Sequence, residues 1–494
     1  MKVTAQPTWE QLLTIPAHNS LTRNLDRITH GSSDVLETPF MSSVDDEEIF
    51  DRIEDVLSKV DVTPKLREIE DENRSKFGPR SIAVPWVERR KSLYAYYESK
   101  SAVEVDFMGL PRGRLRPISV ANAIDSLVSR SSSGLPYMVR KGSLDSEMLS
   151  KDLSADTTAW PCVLFTRTQE QEKTRNVWGY PVLDTIREMM YAKPYIEFEK
   201  TLPWRAALLG PDMVDRAITN LLDARGQRIV YCVDFSAFDS SITPRHIEEA
   251  MADIAGWFQV PQDLTGITDR LINIPIMTPD GEISGPHGVP SGTAFTNSVD
   301  SMVQYRISGV NSNRCQIQGD DGVYVVDASE RSILEDAFES EDLTLNKEKS
   351  FVTETDEAVY LQRYYSSSYP RKADGALGGI YSLYRAALRI KYLERWTDFE
   401  REGITGNDFF SLRTLMILEN CKHHPGFAEF VKYVQSLDKQ KLRFSRGSLV
   451  AFSKMQESRV RAGVLATNPV SGFLSFEAVK VLSLIHISEP TRPY

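Results

Sequence analysis

Apolar residues along the chain fall into two kinds of run. Short continuous stretches, Ile229-Val-Tyr-Cys-Val233 and Val323-Tyr-Val-Val326, are rich in β-branched and aromatic residues and predict buried strands. Cys315-Gln316-Ile317 precedes the second stretch, and Gln318-Gly319-Asp320-Asp321-Gly322 lies between them. That pattern predicts a β-hairpin with two aspartates at its tip. The first run ends at Asp234, and Tyr360 to Tyr365 predicts a further strand pair. Elsewhere the spacing is helical. Asp45-Asp-Glu-Glu48, followed by Ile49 and Phe50, predicts an amphipathic helix with an acidic start. Ser291-Gly-Thr293 leads into a helix over 294–307, and further helices are expected over 335–338, 381–396, 407–421 and 426–437. His423-His424-Pro425 reads as a helix stop rather than a metal site.

At 494 residues the chain is long enough for a large core divided into two to four subdomains. Hydrophobic content of 41% and charge of 26% are those of a soluble globular protein. No run of eighteen apolar residues is present, and the N-terminus lacks the apolar core of a signal peptide. Four scattered cysteines, Cys162, Cys232, Cys315 and Cys421, form no zinc or disulfide pattern and are expected in the core, in a reducing compartment. A net charge of −11 weighs against a nucleic-acid partner unless a basic channel focuses the local field.

The chemistry concentrates in the strand ends. Adjacent carboxylates at a hairpin tip raise each other's pKa unless a cation joins them. Asp234 at the end of one strand and Asp320 in the hairpin can face each other, with Asp321 beside them. Together they offer hard oxygen ligands for Mg²⁺ or Mn²⁺. Two such ions roughly 3.5–4 Å apart suit a nucleotidyl transfer. Asp239 lies five residues past Asp234, and Asn297, one turn into the following helix, is expected to reach it and orient it toward a ribose 2′-hydroxyl.

Other stretches suit phosphate. Arg167, Lys173 and Arg175 can neutralise a triphosphate, and the turn Ser131-Ser132-Ser133-Gly134 offers backbone N–H groups and hydroxyls to a template. Glu88-Arg-Arg-Lys91 with Tyr94, Tyr96 and Tyr97 is read as a solvated helix face before an RNA contact.

In order, Asp234 to Asp239, Ser291 to Asn297 and Gly319-Asp320-Asp321 resemble motifs A, B and C of viral RNA-dependent RNA polymerases. Ser132-Ser-Gly134-Leu-Pro136 is similar to motif G, Arg167, Lys173 and Arg175 to motif F, Asn346-Lys-Glu-Lys349 to motif D and Leu361-Gln-Arg-Tyr-Tyr365 to motif E. The matches span about residues 130–370. In detail the chain most resembles picobirnavirus polymerases, with partitivirus-like enzymes next.

The resemblance implies an α+β right-hand polymerase with fingers, palm and thumb, an antiparallel palm sheet and a largely helical thumb. It divides the chain into an N-terminal extension (1–100) bridging fingers and thumb, fingers (101–225), palm (226–258), a fingers insertion (259–285), palm (286–370) and thumb (371–481). It implies catalysis by Asp234, Asp320, Asp321 and Lys349, the lysine (preferred to Lys347) protonating the leaving pyrophosphate. Asp234, Asp320 and Asp321 would hold two Mg²⁺ ions. Arg167, Lys173, Arg175, Asp239, Ser291, Thr296 and Asn297 would contact the nucleotide. Ser132, Ser133, Gly134, Gly292, Thr293 and Arg363 would contact RNA.

Its partners would be template and nascent RNA, nucleoside triphosphates and a viral capsid protein, with no membrane, for a monomer in the host cytoplasm inside the virion. The genome copied would be double-stranded. A reverse transcriptase is the rival in the same class, but it carries a bulky aromatic where this chain has Asp239. A non-catalytic RNA-binding scaffold is the rival in another class, disfavoured by three intact aspartates. Residues 482–494 resemble a translated sequencing adapter, which would truncate the thumb near Val481; they are set aside from fold reasoning.

Overall fold

The computed structural model describes residues 1–156 and 158–482; the adapter-like tail lies outside the described residues from position 483. At the centre is a four-stranded antiparallel sheet in the order Cys315–Gln318, Asp321–Val326, Ile229–Val233, Phe351–Thr353. All five residues of Ile229–Val233 are buried, as a strand covered on both faces requires. One face packs on helices Pro244–Ala255 and Thr296–Ser308 through Tyr231, Val233, Ile247, Met251 and Val299. Val230, Cys232, Val323 and Val325 face the other way, onto helix Pro211–Asp223.

The hairpin forms as its sequence dictates. Gln318 pairs with Asp321, leaving Gly319-Asp320 as a two-residue loop. Gly319 takes φ +66°, a value glycine adopts without strain and the first loop position of a type II′ turn demands.

A second, mixed sheet of five strands lies to one side, in the order Lys2–Thr4, Gly281–Ser284, Ile276–Thr278, Cys162–Thr168, Thr174–Gly179. Cys162–Thr168 pairs parallel to Ile276–Thr278 and antiparallel to Thr174–Gly179, with Arg167 opposite Arg175. The segment expected over 259–285 therefore splits between helix Leu264–Asn273 and two strands of this sheet. On the other side, helices Leu383–Lys391, Gly406–Glu419, Phe427–Leu437 and Arg446–Arg461 build a separate apolar core.

Residues 1–100 touch both outer bodies. Ile28, Trp86, Leu93 and Tyr97 pack against Cys162, Leu164 and Trp178 of the mixed sheet. Ile49, Ile53, Val56 and Leu57 of helix Asp46–Ser58 enter the helical core. Glu70 caps the start of helix Leu383–Lys391, accepting from Leu383 N at 2.9 Å and Ser382 Oγ at 2.6 Å. His424 Nε2 lies 3.0 Å from the same carboxylate, so that histidine is a structural partner. The helix around Arg89 is not a solvated face. Trp86, Arg89 and Leu93 are buried, and Arg89 bonds Asn176 and Thr166 of the mixed sheet, both at 2.6 Å. All four cysteines are buried and free. Among the described residues no helix is long and apolar enough to cross a membrane.

Candidate active site

Strand register builds the carboxylate cluster. Val233 pairs with Gly322, so the next residue on one strand, Asp234, faces the preceding residue on the other, Asp321. Asp320 stands beside them at the exposed hairpin tip. The repulsion raises the pKa of two of them, Asp234 and Asp321. Burial, then Asp320 and Asp234, pushes Asp321 up to about 7. Burial also raises Asp234; Lys349 and Lys173 pull it down and Asp320 pushes it up.

The backbone around Asp234 is fixed on both sides. Its carbonyl accepts from Asn346 N at 2.8 Å and its N–H donates to Ser350 Oγ at 3.1 Å. These bonds bring the segment 346–350 alongside and place Lys349 near the cluster. Lys347 points elsewhere, in an ion pair with Glu339 at 2.9 Å.

Asp239 follows a left-handed residue, Ala237 at φ +53°, that turns the chain into a short helix. Its carbonyl accepts from Val289 N at 2.9 Å, tying it to the loop before the long helix. The expected partner for its side chain was Asn297. The structure differs: Asn297 Oδ1 is taken by Arg205 Nη2 at 2.7 Å, and the carboxyl that acts on Asp239 from this helix is that of Asp300. Asp300 is one turn further along the helix and only 4% exposed. Burial, then Asp320, raises Asp239 to about 6; burial and then Asp239 raise Asp300 well above the ordinary range. Each carboxyl therefore resists ionising beside the other.

Arg205 is the hub beneath the hairpin. It is wholly buried, ion-paired with Glu199 at 3.4 Å, and donates to Ser301 Oγ, Ile317 O and Gln318 Oε1. Ser301 Oγ accepts from Gly319 N at 2.8 Å, and Gln304 Nε2 donates to Gly319 O at 3.0 Å. Helix and hairpin are therefore bonded together at the loop that carries Asp320.

The helix start is equally fixed. Ser291 Oγ accepts from Trp178 N at 3.2 Å, and Gly292 approaches so closely that a Cβ would lie 1.7 Å from Trp178 O. Thr293 Oγ1 and Ala294 N both donate to the buried Glu188, at 2.8 and 2.7 Å. Thr296 Oγ1 donates to the carbonyls of Pro290 and Thr293. Thr293 and Thr296 thus spend their hydroxyls on the fold.

Three further expected contacts are placed differently. Ser133 is buried, its Oγ accepting from Val139 N at 3.1 Å, so it fastens its own loop; Ser132 Oγ accepts from Gly134 N. Arg363 donates to Asn420 Oδ1 at 2.9 Å and to the carbonyls of Gly379 and Asn420, so it ties the two-stranded sheet to the helical body rather than reaching for phosphate. Arg167 pairs with Glu394 at 3.3 Å, whereas Lys173 acts on Asp234 and Arg175 on Asp239. Arg205, Glu199, Glu188 and Asp300 escaped sequence reasoning; Asp300, three residues past Asn297 on the same helix, was the one with a local signal.

A sequence profile described as viral RNA-dependent RNA polymerase matches residues 88–374. The chain belongs to this family. It is 30% identical over 482 residues to a potential RNA-dependent RNA polymerase of human picobirnavirus (strain Human/Thailand/Hy005102/-), covering 89% of this chain and 88% of that one. An RNA-directed RNA polymerase of Cryptosporidium parvum virus 1 (strain KSU-1) is 26% identical over 212 residues, covering 38% and 40%. The crystal structure of a human picobirnavirus RNA-dependent RNA polymerase superposes with TM-score 0.82 at 26% identity, covering 98% of this chain and 99% of that one. Its insertion-loop deletion mutant superposes with TM-score 0.79 at 25% identity, with the same coverage. The fold is the right-hand polymerase fold: the central sheet is the palm, the mixed sheet belongs to the fingers, and the helical body is the thumb.

Proposed function

We propose that the chain copies RNA into RNA at the edge formed by Asp234, Asp320 and Asp321, by nucleotidyl transfer assisted by two divalent ions. The observation that carries this reading is the register that sets Asp234 across from Asp321. The donor set fits Mg²⁺ or Mn²⁺: three hard carboxylates, of which Asp320 raises the pKa of both Asp234 and Asp321, a repulsion that a cation would relieve. Among the described residues no three such groups gather as a ready-made cage; substrate phosphates would have to complete the shell of any ion held there. Such ions, when bound, stabilise the charge on the attacking and leaving oxygens.

The residues of the chain do the rest by position. Lys173 and Arg175, whose charges act on Asp234 and Asp239, would neutralise an incoming triphosphate, and Lys349, whose charge also acts on Asp234, would give a proton to the departing pyrophosphate. The Asp239–Asp300 pair would present both a donor and an acceptor when one of the two carboxyls is protonated. A 2′-hydroxyl needs both, which supports ribonucleotide use over the deoxynucleotides of a reverse transcriptase. Residues 1–100 would act as the bridge between fingers and thumb. Ser132, Gly134 and Gly292 would line the template path through backbone groups.

By likeness to the picobirnavirus enzyme, the template would be a double-stranded viral genome, replicated and transcribed. The test is a gel assay with homopolymeric RNA, Mg²⁺ and the complementary labelled nucleotide. Template-dependent products that vanish with the wrong nucleotide are expected. Incorporation from DNA but not RNA templates would overturn the reading.

A further inference from the structure

Between Phe107 and Ile118 the chain reads Phe107-Met-Gly-Leu-Pro-Arg-Gly-Arg-Leu-Arg-Pro-Ile118, with three arginines and no acidic residue. Phe107 is wholly buried in the palm core, and the stretch beyond it is seated on the chain just past helix Pro244–Ala255. Gly113 N donates to Phe258 O at 2.9 Å, Leu115 N to Trp257 O at 2.8 Å, and Gln259 N to Leu115 O at 3.0 Å. Gly113 lies so close that a Cβ there would stand 2.1 Å from Trp257 O. The edge is therefore held by its backbone.

Register decides what this edge shows to solvent. Leu115 pairs in parallel with Phe258, which is wholly buried. Successive side chains of an extended chain point to opposite faces, so Arg112, Arg114 and Arg116 turn outward, beside Trp257 and Gln259. All three arginines are exposed, and Trp257 is 44% exposed. Arg116 Nε donates to Gln259 Oε1 at 3.0 Å, as side chains on one face can. Among the described residues the three guanidiniums make no ion pair, and this is their one hydrogen bond. The Trp257 ring leans on Phe198, with centroids 4.1 Å apart, so the indole is held in one orientation.

We propose that this face binds single-stranded RNA away from the aspartate edge, with phosphates on Arg112, Arg114 and Arg116 and a base stacked on Trp257. Alternate residues of an extended chain stand about 6.8 Å apart, so the guanidiniums form a row that can follow a strand's backbone. Each planar fork takes phosphate oxygens two at a time. The exposed indole beside them offers a stacking surface, which unpaired bases can use and a duplex or an acidic peptide cannot. The face lies at the end of helix Pro244–Ala255 remote from Asp239, so the RNA it holds is a stretch of strand that is not being copied. The inference rests on RNA as the substrate.

The probes are a short and a long labelled oligouridylate, whose binding is followed by fluorescence polarisation over a range of salt. Arg112→Gln, Arg114→Gln and Arg116→Gln combined should weaken binding of the long RNA by about tenfold or more. They should also flatten the plot of log affinity against log salt by about 2, the counter-ions of three phosphates. The short RNA, which fills only the aspartate edge, should bind parent and variant within about twofold, and incorporation on a short template should not change. Trp257→Leu should weaken the long RNA by about fivefold or more, the worth of one stacked base, and leave the salt slope as it was. The three arginines are exposed, so their variant should melt with the parent. A folded triple variant that binds the long RNA as the parent does, or that loses short and long RNA equally, overturns the proposal. So does oligoglutamate that displaces the long RNA as well as unlabelled oligouridylate does, since the partner would then be an acidic protein. Incorporation on the short template alongside unchanged long-RNA binding in the variant would remove this surface and leave the polymerase reading intact.

Discussion

Arg205 Nη2 donates to Asn297 Oδ1 across 2.7 Å, so the amide oxygen expected to serve Asp239 is bonded elsewhere. The helix then offers Asp300, one turn on, as the neighbour of Asp239.

Sugar choice should follow Asp300 and not Asn297. A site built to bond a hydroxyl leaves buried polar groups unpaired when the hydroxyl is missing. Asp300→Ala should lower the ratio of kcat/KM for GTP over dGTP by about tenfold or more, while Asn297→Ala changes it by less than about threefold. Both ratios are measured on one RNA template. Equal loss in the two variants would return the role to the helix as a whole.

Arg205 should matter to stability more than any exposed arginine. Arg205→Met leaves Glu199 buried and uncompensated, an arrangement that costs about 3–5 kcal/mol. Unfolding by urea should show it, and Glu199→Gln added to Arg205→Met should recover part of the loss. Additive losses in the double variant would mean that the two side chains do not act as a pair.

At the metal edge the expectation is reversed: activity falls and stability does not. Asp234→Asn should reduce incorporation by about 10³ or more, roughly 4 kcal/mol of transition-state stabilisation. Its melting temperature without divalent ions should equal or exceed that of the parent, because one member of a repelling group is gone. A purified variant with more than about a tenth of parental activity would move the site elsewhere.

Glu188 supplies a pH test. Burial pushes its carboxyl up to about 8, from an ordinary 4.5 in the unfolded chain. The folded form therefore holds a proton that the unfolded form has released. Its contribution is full below about 4.5 and is lost as pH rises through about 8. Glu188→Gln keeps an acceptor for Thr293 and Ala294 but cannot ionise. Between pH 5 and 8.5 the melting temperature of the parent should fall more steeply than that of the variant. Parallel curves would show that Glu188 does not titrate in that window.

The palm edge was legible because its signals are local. An apolar run ending in Asp234 and a two-residue turn holding Gly319 and Asp320 need no distant information to form. The partners were not legible, because each is set by a residue far along the chain. Asn297 and Asp300 sit one turn apart, and their identities do not reveal which faces Asp239. That is decided by Arg205, 92 positions before Asn297. Arg363 was misplaced for the same reason: Asn420, 57 positions on, takes its guanidinium. Arg89 and Tyr97 looked solvent-facing in a helix with a weak apolar stripe, yet a strand sheet covers them.

Ser32 exchanges two backbone bonds with Ala83, and Val84 beside it is bonded to Thr174 of the fingers. Five residues later Glu37 pairs with Tyr392 of the thumb, with Leu36 and Thr38 bonded to Leu393 and Lys391. Five residues reach at most about 18 Å when fully extended. The segment is therefore a short leash: the two bodies cannot swing farther apart at that point unless one set of bonds unzips first. Any wide gaping of the hand has to begin with the release of Glu37 or Ser32, and smaller movements must take place within the slack that five residues allow.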